Sequence, residues 1–424
     1  MRAQAFFTGV GIILLLSTPH LNAGVSGAEL SNLSEIVETA LNSNPEIHAA
    51  HRRVEAARAR AGHATYLEDP EVNIEAWGVP LNQPLRYRSA NPLVFGVRQK
   101  LPFFGKLGLK GEMAAEEVRI AEEELRAKEQ EVVAKVKAAY ADYFMAGKSV
   151  EIHRELLELI RHTTASAEGL YQVGKAPQQD IIKAMLERTE LLNKLTWAEK
   201  DLSIAQARLN MLLSRAPDSF LIPPKEPAET PIRLQFSELE KLAMAQRPEL
   251  RGLESVINRS EKAVALAEKN RKYPDFMVGL QYWVAPDQSP RHMYTPMVTL
   301  SIPFSPWTKG KYDHQIEEAL AEKQAARANL AAMKNMAVFE VRDMAVKVQA
   351  AIRTLSIYRD GLLPQAEQSF QAAVSAYQTG GVNFMTLLDA QRTIRDVRMG
   401  YYKALVDYEQ SRADLERAVG KELE

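Results

Sequence analysis

The sequence of 424 residues contains no cysteine, and its charges nearly cancel, with 53 basic and 54 acidic residues. The missing thiols exclude disulfide frameworks, cysteine-ligated metal sites, thiol catalysis and a lipid anchor on an N-terminal cysteine. The near-zero net charge gives no electrostatic footprint for nucleic-acid binding. Motifs for nucleotide binding, serine hydrolysis and zinc proteolysis are also missing, so we expect neither an enzyme nor a cofactor.

Long hydrophobic runs are equally scarce, with one exception at the N-terminus. Arg2 is followed by an apolar core over 10–16, and Pro19 interrupts the sequence before Ala23, a small residue suited to cleavage. This pattern is typical of a secretory signal peptide and is too short to span a membrane. We therefore predict a signal peptide over residues 1–23 and export of the mature chain.

The remainder of the chain is a tandem duplication of one large unit. Landmarks of the first half return in the second half in the same order and at a nearly constant offset. They are Asn44-Pro45-Glu46-Ile47 and Arg247-Pro248-Glu249-Leu250, Pro70-Glu71-Val72 and Pro274-Asp275-Phe276, Leu101-Pro102-Phe103 and Ile302-Pro303-Phe304, and Tyr171-Gln172-Val173-Gly174 and Tyr377-Gln378-Thr379-Gly380. The predicted repeats span 24–214 and 236–424, with a proline-rich linker over 215–235 between them.

Each repeat has the same predicted order of elements: a helix, two strands and a long helical hairpin. Residues 106–172 contain no proline, and as one helix they would be about 100 Å long. The matching helix over 311–378 is interrupted only by Gly361 and Pro364, where we expect a kink. Helices of this length must pack side by side as antiparallel coiled coils.

The strand segments alternate between apolar and polar residues and have aromatic residues at their ends. The segments are 70–77, 93–101, 275–282 and 295–302. Each approaches the roughly ten residues that a tilted membrane strand needs, and the aromatic residues are typical of bilayer interfaces. A soluble sheet would show the same alternation, but the export signal and the lack of another membrane element favour membrane strands. We predict β-hairpins over 70–101 and 274–302.

Four strands cannot close a membrane barrel, because the smallest such barrels have about eight. An open sheet edge in lipid would cost several kcal/mol for each unpaired backbone group, so the chain must assemble with copies of itself. Two copies would give a filled barrel of eight strands, whereas three would give twelve strands and a lumen. We therefore predict a mainly α fold with a small β part, in which long helical hairpins pack as coiled coils and the four strands of each chain complete a twelve-stranded trimeric β-barrel.

The turns of the two helical hairpins carry matched motifs. The first turn has Tyr171, Gly174, Asp180, Ile181, Ile182 and Ala184, and the second has Tyr377, Gly380, Leu387, Leu388, Asp389 and Ala390. In duplicate, these motifs resemble those of the TolC-like outer-membrane efflux family, and the resemblance extends from about residue 33 to the C-terminus. It implies a homotrimeric channel in the lipid of the cell outer membrane, in which the tandem-duplicated helical hairpins form a trimeric α-barrel that extends into the periplasm. The tips at Tyr171, Gly174, Tyr377 and Gly380 would contact a periplasmic adaptor protein, and an inner-membrane transporter such as an RND-type pump would complete the assembly.

The resemblance also implies an aperture gate near the tips. Asp389 matches one acidic position of the family. In a trimer, its three carboxylates around the axis would attract cations and repel one another. The family's second carboxylate is Thr386 here, and its basic partner is replaced by Val382. Asp180 is the candidate for the second charge, and solvated surface charge is the alternative for every gate candidate. The candidates for closing salt bridges are Arg392, Arg395 and Asp396.

These observations favour the exit duct of a tripartite efflux pump, which would conduct substrates passively. A duct for type I protein secretion remains open, and an exported periplasmic coiled-coil scaffold is the alternative from a different class. The strand exit over 101–106 resembles the metal-cation branch of the family. No resident metal site is predicted, because His48 and His51 have no further ligand at metal-binding spacing.

Overall fold

The computed structural model describes residues 32–79, 81–82, 92–227, 235–286 and 289–423. The predicted signal peptide over 1–23 and residues 228–234 of the predicted linker lie outside the described residues. The described helices are α1 (Leu33–Ser43), α2 (Pro45–His63), α3 (Lys106–Gln172), α4 (Gln178–Leu212), α5 (Phe236–Gln246), α6 (Pro248–Lys272), α7 (Lys309–Ile357), α8 (Leu363–Gln378) and α9 (Phe384–Val419). The described strands are β1 (Glu71–Ala76), β2 (Leu93–Leu101), β3 (Asp275–Val284) and β4 (His292–Ser301).

The same order of elements occurs twice along the chain: two short helices, two strands and a long helical hairpin. The break between the two short helices is encoded by a proline at the start of the second helix, in α2 and again in α6. Proline is well suited to this position, because its missing N–H would have no partner in the first helical turn. In the first copy the side chain of Asn44 also accepts a hydrogen bond from the Glu46 N–H at 2.8 Å and caps α2.

The strands form a single antiparallel sheet in the order β1-β2-β3-β4, so β2 and β3 join the two halves of the chain. The predicted mainly helical fold with a small four-stranded part is confirmed. Cross-strand rows place like residues together: Val97 pairs with Val72 on one side and with Leu280 on the other. β4 begins at His292, before the predicted start at residue 295, and contains Pro296. An edge strand tolerates proline because the missing N–H removes no bond from the interior of a sheet.

The helices form long hairpins that extend away from the sheet. α3 has 67 residues, which corresponds to a length of about 100 Å, and it packs against α2, α4, α6 and α9. Among the described residues, no helix combines the length and the apolar character that a membrane crossing requires. The hydrophobic core is divided into clusters along the helices, with Val136 and Leu209 in one, Val341 and Tyr408 in another, and Phe384 near the tips.

A π-turn over Tyr358–Leu362 separates α7 from α8 at the position where the sequence predicts an interruption. Gly361 lies inside this turn and Pro364 lies in the first turn of α8. A π-turn accommodates the proline, whose missing N–H cannot continue the regular α-helical bonding. The ring of Tyr358 packs against Gly400 of α9 so closely that a Cβ at Gly400 would lie 2.5 Å from it.

Candidate functional site

Both long hairpins turn at a glycine with a left-handed backbone. Gly174 has φ +70° and donates from its N–H to the carbonyl of Tyr171 at 2.9 Å. Gly380 has φ +79° and donates to the carbonyl of Tyr377 at 3.1 Å. Neither glycine has another atom near the position of a Cβ, so the requirement for glycine comes from the backbone conformation.

Tyr171 and Tyr377 stand at matched positions of the two repeats, but their environments differ. Tyr171 is 46% exposed, whereas Tyr377 is 4% exposed and its ring centroid lies 5.6 Å from that of Phe384. The hydroxyl of Tyr377 is buried and has no hydrogen-bond partner among the described residues. Burial and the negative charge of Asp180 both raise the pKa of Tyr377. Tyr171 is therefore a surface residue of one tip, while Tyr377 belongs to the core of the other.

Asp180 lies in the first turn of α4, where the helix dipole favours a negative charge. Burial nevertheless raises the pKa of its carboxyl, although Lys183 acts in the opposite direction. The negative charge of Asp180 in the first repeat also helps to raise the pKa of Tyr377 in the second repeat.

Asp389 lies one turn into α9 with its side chain exposed. Its carbonyl accepts a hydrogen bond from the Thr393 hydroxyl at 2.8 Å. The helix is capped by Asn383, whose side-chain oxygen accepts from the N–H of Thr386 at 2.9 Å. Thr386, which stands where an acidic residue was expected from the resemblance, is therefore part of the N-terminal turn that positions Asp389.

Two of the three remaining gate candidates, Arg392 and Arg395, face the buried carboxylate of Glu187, which the sequence analysis did not identify, and the third, Asp396, pairs with Arg395. Arg392 donates from Nε to Oε2 of Glu187 at 3.1 Å, and its Nη2 donates to the same oxygen. Nη1 of Arg395 lies 3.9 Å from Oε1 of Glu187. Arg395 also donates from Nε to Oδ1 of Asp396 at 2.8 Å. We call Glu187, Arg392 and Arg395 the Glu187 cluster.

The Glu187 cluster joins α4 of the first repeat to α9 of the second. The side chain of Glu187 is only 2% exposed, and a buried carboxylate of this kind requires cationic partners. The hydrogen bond to Glu187 raises the pKa of Arg392, so this guanidinium keeps its charge. The sequence does contain a pattern that could have identified Glu187 as buried. Glu187 lies between Ala184 and Leu191, which are buried at helical spacing on the same side of α4.

The described residues hold no group of three or more histidine, aspartate or glutamate side chains arranged for a metal ion. Nδ1 of His51 lies 3.4 Å from a carboxylate oxygen of Glu55 on the same helix. The charged groups of the tip region are exposed Asp389, partly buried Asp180 and the Glu187 cluster with its buried carboxylate.

Comparison with known proteins identifies the family. The sequence profile of the outer membrane efflux protein family matches residues 36–215 and 239–421, which together make up most of the chain. The chain belongs to the outer membrane efflux protein family. The cobalt-zinc-cadmium resistance protein CzcC of Cupriavidus metallidurans is 23% identical over 316 residues, which are 73% of this chain and 72% of CzcC.

Solved structures share the fold of this efflux family member over nearly its whole length. The crystal structure of CusC is 20% identical with a TM-score of 0.77, and the alignment covers 95% of this chain and 96% of CusC. The outer membrane protein VceC of Vibrio cholerae is 19% identical with a TM-score of 0.75, over 92% of this chain and 97% of VceC. The predicted family, the outer-membrane location and a role in transport rather than catalysis are thereby confirmed.

Proposed function

We propose that this outer membrane efflux protein is the exit duct of a tripartite pump. Three copies would form a channel that conducts substrates passively from the periplasm to the exterior. A periplasmic adaptor and an inner-membrane transporter would dock at the helical end. The observation that carries the proposal is the open four-stranded sheet, which has two edge strands and one exposed apolar face.

The apolar face of the sheet matches lipid in its chemistry. Val72, Ile74, Leu280 and Val298 lie on this face and are 54% to 72% exposed. An apolar surface of this kind marks an interaction site, and lipid is the partner expected for strands of this length. In lipid, the free edges of β1 and β4 would need partner strands, because each unpaired backbone group costs several kcal/mol. Further copies of the chain would supply those strands.

The helices offer matching apolar faces for the same assembly. On α4, Trp197, Ile204 and Met211 are exposed at intervals of seven residues, and on α7 Phe339 and Val346 show the same interval. This spacing is typical of a coiled-coil seam. The two faces belong to different repeats, so each copy would place α4 against α7 of the next copy and close a ring. Three copies would give about twelve strands, enough for a lumen.

The tips would provide the docking surface and the aperture. Tyr171 is exposed beside Gly174, which suits contact with an adaptor, while Tyr377 would hold the second tip, at Gly380, through its core contacts. In a trimer, exposed Asp389 would face its own copies at the aperture, and Asp180 would add charge nearby. Arg392 and Arg395 would act within one chain, because the Glu187 cluster ties α4 to α9.

The name of CzcC supports metal cations as cargo, in agreement with the strand-exit residues 101–106. Membership in an efflux family also supports a duct over a coiled-coil scaffold. A duct for type I protein secretion has no observation of its own in its favour.

The assembly is tested by placing a charge in the proposed seam on α4. We expect Trp197→Glu to convert the detergent-extracted trimer to smaller species, measured as mass by native mass spectrometry or light scattering. Arg188→Glu is the control, because Arg188 is also exposed but lies on the other side of α4 by helical periodicity. A Trp197→Glu protein that remains trimeric would exclude this seam, and a wild-type monomer would exclude the duct.

A further inference from the structure

The two repeats are joined by a largely buried ion pair where the sheet meets the helices. Nζ of Lys106, the first residue of α3, lies 2.8 Å from Oδ1 of Asp275, the first residue of β3. The same Nζ donates to the carbonyl of Tyr273 at 3.0 Å, and Oδ1 of Asp275 also accepts from the N–H of Phe103 at 3.0 Å. The contact therefore fixes the long helix of the first repeat to the first strand of the second.

The duplication places a counterpart of each charge at an outer edge of the sheet. Glu71 is the first residue of β1, as Asp275 is of β3, and each follows a proline of the repeated landmark. Lys309 is the first residue of α7, as Lys106 is of α3.

The strand register supports the same correspondence. Glu71 pairs with Arg98 of β2, and Asp275 pairs with Ser301 of β4, so Arg98 and Ser301 occupy equivalent positions. The same 203 residues separate Arg98 from Ser301 and Lys106 from Lys309. The strand ends and the helix starts of the two repeats are therefore in step.

The counterpart charges are exposed and unpaired within one chain. Among the described residues, neither Glu71 nor Lys309 has an ion-pair partner, although Arg98 stands opposite Glu71 on β2. β1 and β4 are the two outer strands of the four-stranded sheet, which places the edges about 14 Å apart. One chain therefore cannot bring Glu71 and Lys309 together, whereas a second copy offers the complementary charge to each edge.

We infer that Lys309 of one copy and Glu71 of the next form an ion pair that joins neighbouring copies. The pair would repeat between copies the contact that Lys106 and Asp275 make within each copy. The inference rests on the proposed function, because the two edges meet only when copies close into a ring. Since each copy contributes one charge at each edge, the contacts are head-to-tail and close on themselves.

The test exchanges the two charges in the full-length protein and measures the ratio of monomer to trimer in detergent by light scattering. We expect Glu71→Lys to raise this ratio at least about fivefold, because like charges would then face each other at every contact between copies. Lys309→Glu should act in the same direction. The double variant Glu71→Lys/Lys309→Glu should return the ratio to within about twofold of the wild type.

Lys311→Glu is the matched control, because Lys311 is also exposed in the first turn of α7 and its Nζ lies 5.6 Å from the ring centroid of its neighbour Tyr312. It should keep the wild-type ratio. Rescue of Glu71→Lys by Lys311→Glu or by Arg98→Glu, in place of Lys309→Glu, would overturn the inference. If a charge reversal prevents folding, as judged by circular dichroism, Glu71→Gln decides, and an unchanged ratio would overturn the inference.

Conductance in planar bilayers separates this contact from the duct. A wild-type trimer that conducts, combined with charge variants that show no rescue, would overturn the ion pair and leave the duct intact. If the double variant assembles like the wild type but neither conducts, the ion pair is supported and the duct fails. A monomeric wild type would contradict both.

Discussion

The Glu187 cluster predicts a specific response to loss of one buried charge. In Glu187→Gln, Arg392 and Arg395 would lose the carboxylate that both of them face. Removing one partner of a buried ion pair costs about 3–5 kcal/mol. The side chain of Arg392 is 40% exposed and that of Arg395 13%, so water recovers part of the loss, and we expect about 1–3 kcal/mol.

The cluster ties α4 to α9 near the tips, so its loss should favour separation of these helices. A change of about 1–3 kcal/mol corresponds to a factor of about 5 to 150 in an equilibrium between two states. We therefore expect Glu187→Gln to lower the unfolding temperature of the detergent-solubilised trimer. We also expect the time spent in higher-conductance states to increase in planar bilayers.

Glu199→Gln is the matched control on the same helix. Glu199 pairs with Arg154 of α3 at 2.8 Å, but both side chains are largely exposed, and an exposed pair contributes about 0–1 kcal/mol. The exchange Glu187→Arg/Arg392→Glu should recover part of the lost stability. Our reasoning would be refuted if Glu187→Gln matched the wild type in both unfolding temperature and open time.

Further predictions concern two glycines, Gly380 and Gly147, and two carboxylates, Glu409 and Asp389. Gly380→Ala should destabilise the chain by about 1–2 kcal/mol, because alanine is strained at positive φ. Gly147→Ala inside α3, where a Cβ meets no atom within 4 Å, should instead stabilise the chain by about 0.5–1 kcal/mol. Chemical denaturation measures the free energy of unfolding of both variants, and equal effects would contradict the argument. Burial raises the pKa of Glu409, so its contribution to stability is present in acid and is lost as pH rises through that raised pKa. In thermal melts, Glu409→Gln should therefore become more stable relative to the wild type as pH rises. A difference in melting temperature that does not change with pH would exclude this role of Glu409. Asp389→Ala should reduce block of the current by divalent cations, and unchanged block would remove Asp389 from the aperture.

The sequence was sufficient to predict the elements but not how they pair. Period-two alternation located all four strands, and the absence of proline over 106–172 matched α3. Both are local properties that one segment carries by itself. The pairing of β2 with β3 depends on the packing of two distant halves, and no local pattern encodes it. Likewise, Pro364 indicated an interruption, but not the π-turn over Tyr358–Leu362, where Tyr358 packs against Gly400 of a helix distant in the sequence.

The same distinction explains the candidate site. Gly174 and Gly380 could be identified because a helical hairpin needs a left-handed residue at its turn. Glu187 was missed because its partner Arg392 lies 205 residues away, and charged residues on helices are usually solvated. The pattern that could have identified Glu187 is a charged residue among positions of α4 that are buried at helical spacing. The different environments of Tyr171 and Tyr377 depend on neighbouring helices and could not be predicted from matched motifs.

The central claim, a trimeric duct, is tested most directly by single-channel conductance of detergent-purified protein, with its mass measured in the same detergent. We predict a trimer that inserts into planar bilayers and conducts ions, with a small conductance while the tips are closed. A monomeric or non-conducting protein that leaves bilayers unchanged would contradict the account.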